Sequence, residues 1–130
     1  MIPFSSEREA TGVVIRLPSG RHRLFLKGAS EILTKKCTRH AMVSNTPNHT
    51  QHHDSEIETK AINNITKYNV SRTIIFYTNQ MLRTIALCYR DFESWPPPGT
   101  HLQSPDEVSY DDLSCDMTLV TITGILSLLF

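Results

Sequence analysis

The chain has 130 residues and 14.8 kDa, room for one domain. Its 13 Lys+Arg balance 13 Asp+Glu. A neutral surface excludes nucleic acid or an anionic membrane as a whole-surface partner, since both select a basic excess. Hydrophobic residues make up 39%, enough for a thin core.

The N-terminus, MIPFSSERE, has no basic segment followed by an apolar one, so no signal peptide is visible in it. Three cysteines cannot all pair within one chain. Both features point to a reducing compartment. The sequons at Asn48, Asn64 and Asn69 are then chance matches. The apolar run from Met117 to Phe130 is too short for a bilayer helix and reads as a buried strand with an apolar tail.

In chain order, Gly12–Leu17 and Arg21–Lys27 are strand-like runs joined by Pro18, Ser19 and Gly20 as a hairpin. In the second run Arg21, Arg23 and Phe25 alternate with His22, Leu24 and Leu26, a half-buried pattern. Gly28 ends this strand. Ala29–Cys37 has helical spacing, with Ser30 as a candidate cap, and Thr38–Val43 is a candidate short strand.

Ser44–Ser55 is a polar loop. His49, His52, His53 and Asp54 invite a metal reading there. Structural zinc needs four ligands on a formed scaffold, so no metal site is assigned. Glu56–Met81 reads as a long helix with an imperfect stripe of Ile57, Ala61, Ile65, Tyr68, Ile75, Tyr77 and Met81. Leu82–Phe92 alternates as a strand. Trp95 to Gly99 opens an irregular loop running to about Cys115, and Met117–Ile125 is a β-rich run. The expected fold class is α+β, an antiparallel sheet flanked by helices near 29–37 and 56–80.

Three separated pieces then stand out: Phe4-Ser5-Ser6-Glu7-Arg8, Lys27-Gly28-Ala29-Ser30-Glu31 and Leu82-Arg83-Thr84-Ile85-Ala86-Leu87. In this order and spacing they resemble the nucleotide-binding domain of P-type ATPases, closest to calcium pumps of the fungal vacuolar and plasma-membrane type. The resemblance covers about residues 2–125. It implies a partial nucleotide-binding domain over 1–125, incomplete at its N-terminus, and a divergent apolar tail over 126–130. That divergence suggests a truncated or misjoined reading frame.

The resemblance implies ATP as ligand, as Mg-ATP in the parent pump. By motif position Phe4 stacks on adenine, Lys27 lies at the pocket floor and Arg83 reaches the phosphates. Gly28 and Ala29 shape a turn beside the ligand. Aromatic faces stack on flat bases, and lysine and arginine neutralise phosphate. The family usually has lysine where Glu9 stands, and a carboxylate there opposes phosphate.

The sequence contains no DKTGT, the segment whose aspartate accepts phosphate in this family. No catalytic residue is therefore assigned, and the isolated chain is expected to be inactive and cytoplasmic. Its expected partners are the phosphorylation and membrane domains of the parent, which would sit in a vacuolar or plasma membrane with this part facing the cytosol. The alternative function is a non-catalytic remnant or interaction module without ligand.

Overall fold

The structure is a computed structural model that describes residues 2–5, 10–42, 57–98, 102–104, 107–108 and 110–126. The side chains of 2–5, 102–104 and 107–108 are outside that description. So are Glu9, the loop containing His49, His52, His53 and Asp54, and the tail beyond Leu126.

Strand β1 (Ile2–Ser5) pairs with β2 (Ala10–Arg16), and β2 forms a hairpin with β3 (His22–Ala29). The hairpin closes where the Leu17 N–H donates to the Arg21 carbonyl at 2.7 Å. Gly20 takes φ of 91°, a left-handed backbone that glycine adopts without a Cβ penalty. Helix α1 (Ser30–Leu33) and a 3-10 turn (Thr34–Lys36) then lead into β4 (Cys37–Ala41). Next come β5 (Thr59–Ala61), α2 (Asn64–Asn79) and the long β6 (Leu82–Phe92). A two-stranded ribbon, β7 (Leu102–Ser104) with β8 (Glu107–Val108), precedes α3 (Tyr110–Leu113) and β9 (Met117–Leu126).

Seven strands form one sheet in the order β1-β2-β3-β6-β9-β4-β5. The sheet is mixed rather than antiparallel, because β4 and β9 run parallel. The reason lies in the α1 crossover. It returns β4 in the direction of β3, which β9 also shares across the antiparallel β6.

The alternation read in β3 holds: Leu24 and Leu26 are fully buried. With Ala86 and Cys88 of β6, Met117 and Leu119 of β9, and Leu33 of α1 they form the core. The core side carries the helices. Lys36 donates to Ser114 Oγ at 3.1 Å, and the Arg90 guanidinium donates to the Cys115 carbonyl at 3.1 Å. These contacts tie the segment before β9 to the sheet.

Several boundaries differ from expectation. The first helix stops at Leu33, and Cys37 starts a strand instead of ending the helix. Ser30 does not cap it: its hydroxyl is buried without a hydrogen-bond partner. The long helix begins at Asn64, because the Asn63 side chain accepts the Thr66 N–H at 2.8 Å and caps it. Residues 59–61 are therefore free to extend β4 as an edge strand. The stretch from Trp95 to Cys115 also holds the ribbon and α3.

The packed face of α2 is not the expected stripe. Val70 packs against the core, while Ile65, Tyr68, Ile75 and Met81 are exposed. Near its C-terminus α2 touches the sheet at Gly124. A Cβ built there would lie 2.7 Å from the Tyr77 ring, closer than side chains tolerate.

Candidate functional site

The sheet face opposite the core presents the odd-numbered side chains of β3 and β6, because successive residues of a strand alternate between faces. Lys27 is exposed on this face, opposite Thr11 of β2 and Leu87 of β6. Arg83 is exposed on the same face, opposite Ile125 of β9. Leu87, the partner of Lys27, lies four positions along β6 from Arg83. The two cations are therefore offset by about 13 Å along neighbouring strands, at the usual strand rise.

Half-buried Leu87 and Ile85 lie between them and make an apolar floor. Thr121 and Thr123 border it, paired with Leu87 and Ile85. Among the described residues neither Lys27 nor Arg83 makes a hydrogen bond or an ion pair. Both charges are thus uncommitted, separated by a flat apolar surface.

Gly28 and Ala29 do not form a turn. Both stay in β3, opposite Ala86 and Ile85 of β6, so the strand runs directly into α1. Gly28 stands in a row with Ala10 and Ala86, both fully buried. Small side chains along this row let α1 approach the sheet closely, and α1 packs there against β3 and β6. Phe4 belongs to β1, two strands from Lys27, and its side chain is outside the described residues.

Farther along the open face, Arg23 of β3 is paired to Asp91 of β6. A polar cavity of about 350 Å³ opens there, lined by Arg21, Arg23, Tyr89, Asp91 and Thr118 among others. A larger cleft of about 660 Å³ lies on the helix-bearing side, between α2 and the sheet. Neither contains Lys27 or Arg83. The apolar floor at Ile85 and Leu87 was not singled out from sequence, although the alternation of β6 already put both on the face of Arg83. Nothing in the sequence signalled the cleft.

The family model for the P-type ATPase cytoplasmic domain N matches residues 1–127. The chain belongs to this family. It is similar to calcium-transporting ATPase 2 of Cryptococcus neoformans var. grubii, 56% identical over 125 residues, which is 96% of this chain and 8% of that protein. Human plasma membrane calcium-transporting ATPase 3 is 36% identical over 123 residues, 94% of this chain and 8% of its own length. A probable plasma membrane-type calcium-transporting ATPase 6 of rice is 31% identical over 94 residues, 72% of this chain and 8% of its own. The chain thus spans about 8% of these relatives. No helix among the described residues is long and apolar enough to cross a membrane.

Proposed function

We propose that this chain is the ATP-holding part of a calcium-transporting P-type ATPase, whose whole protein couples ATP hydrolysis to calcium export or vacuolar sequestration. The observation that carries the reading is the pair of uncommitted cations, Lys27 and Arg83, on one open sheet face of a chain in this family. The adenine end of ATP would sit toward Phe4 and Lys27, and the phosphates would extend across Leu87 and Ile85 to Arg83.

Each residue has a separate task. Phe4 would stack on the base. Lys27 would place one positive charge at the floor. Arg83 would hold phosphate oxygens through its planar fork. Ala29, the next residue on that face, would keep the wall beside Lys27 low, while Gly28 would shape the same stretch of backbone from the core side. Phosphoryl transfer depends mainly on positioning and charge neutralisation, so a part that holds the nucleotide needs no nucleophile of its own. The accepting aspartate and the ion path would belong to the phosphorylation and membrane domains of the same protein. Magnesium would arrive bound to ATP.

The test is an NMR titration of the chain with Mg-ATP. Saturable shifts of the Lys27, Leu87 and Arg83 amides are expected, without phosphoenzyme formation. Shifts confined to other surfaces, or none at millimolar nucleotide, would leave the ligand-free interaction module as the better reading.

A further inference from the structure

The helix-bearing side of the sheet holds a cleft that the nucleotide reading does not use. Its volume is about 660 Å³, in the range of small-molecule sites. The cleft exists because α2 meets the sheet unevenly. At one end Tyr77 is pressed onto Gly124. Over the preceding turns no residue of α2 is fully buried, so the helix stands off from β4 and β9.

The floor is apolar: Ile62, Val70, Ile74 and Leu119 line it. Water gains little from such walls, so an apolar body would displace it favourably. The rim is charged. Lys35, from the 3-10 turn, and Lys67, from the first turns of α2, both line it and are exposed. Among the described residues Glu31 is the one carboxylate lining it, so these three side chains leave one net positive charge. Among the described residues neither lysine is engaged in an ion pair or hydrogen bond.

We propose that this cleft binds a carboxylate-bearing amphiphile, such as a medium-chain fatty acid, with its chain on the Ile62–Val70–Ile74–Leu119 floor and its carboxylate between Lys35 and Lys67. An apolar tail alone would fit the floor but leave both ammonium groups unanswered. A cationic head would meet them with like charge. The site lies across the sheet from Lys27 and Arg83, so it stands or falls independently of nucleotide binding.

Methyl NMR on the whole chain tests this with three probes of equal tail: decanoate, decan-1-ol and decyltrimethylammonium. Decanoate is expected to give saturable shifts at the Ile62, Val70, Ile74 and Leu119 methyls. It should bind about tenfold more tightly than the alcohol, as one charge-assisted contact implies, with the ammonium probe weakest. The double variant Lys35→Gln, Lys67→Gln should bring decanoate down to the affinity of the alcohol. The head-group ranking on the unaltered chain keeps the test valid if that variant folds poorly. Absence of saturable shifts at these methyls overturns the proposal. So does equal binding of all three probes, or a shift pattern on the open face at Val13, Ile15 and Ile125.

Discussion

Arg23 and Asp91 stand directly opposite each other on β3 and β6, and the guanidinium donates to both carboxylate oxygens, Nε at 2.6 Å and Nη2 at 3.0 Å. The same guanidinium lies 4.7 Å from the centre of the Tyr89 ring. The pair is partly buried, with side-chain exposures of 17% and 24%. It therefore locks the register of the two central strands on the face that is otherwise open to solvent.

Asp91→Asn should lower stability by about 1–2 kcal/mol, more than a surface ion pair is worth, because it leaves a partly desolvated arginine without its counter-charge. Urea unfolding of the variant and the parent chain measures the difference. An unchanged midpoint would mean that the strand pairing holds register without this contact.

Tyr89 makes stability sensitive to alkaline pH. Burial pushes its phenol above the ordinary value near 10, with nearby Arg23 pulling the other way. Above about pH 10 the unfolded chain releases this proton while the folded chain keeps it, so stability falls as pH rises until the folded group also titrates. Tyr89→Phe should flatten the loss between about pH 9 and pH 11, measured as the urea midpoint against pH. A slope identical to that of the parent chain would exclude Tyr89 as a contributor.

Gly124→Ala should destabilise by about 1–3 kcal/mol, because the added methyl collides with the Tyr77 ring. In a Tyr77→Ala background the same substitution should cost far less, since the two residues share one contact. Thermal melts of the four proteins give the coupling. Additive losses would place the cost in the strand backbone and not at the helix.

Lys27→Ala and Arg83→Ala should each weaken Mg-ATP about tenfold, the value of one charge-assisted contact. Their melting temperatures should barely move, because both side chains are exposed. Affinity should also fall with added salt. Titration calorimetry at two ionic strengths checks the affinities, and thermal melts check the melting temperatures. Full affinity in both variants would remove the open face as the nucleotide site.

The sequence was most informative where a strand has one buried face. Leu24 and Leu26 alternate with Arg23 and Phe25, and the whole of Leu82–Phe92 emerges as one strand, because period-two burial writes itself into neighbouring residues. The direction of β4 leaves no such trace, since parallel pairing with β9 depends on residues about 80 positions away. Thr59–Ala61 is too short to show a period. Asn63 caps α2, so the helix starts at Asn64, eight residues after the expected start at Glu56. For the site, the motifs led to Lys27 and Arg83. That they share a face with Leu87 and Ile85 between them needed the register of three strands.

The strand order carries a consequence for how the molecule is assembled. β9, the last in sequence of the described strands, is the neighbour of both β6 and β4. Until it is in place the β4–β5 ribbon has no seat on the sheet, and β6 exposes a bare edge. Synthesis order and assembly order thus run against each other: the earlier β4–β5 ribbon must wait for β9 before it can join the rest of the sheet. Slow, non-local closure of this kind leaves the unfinished chain open to pairing with its neighbours.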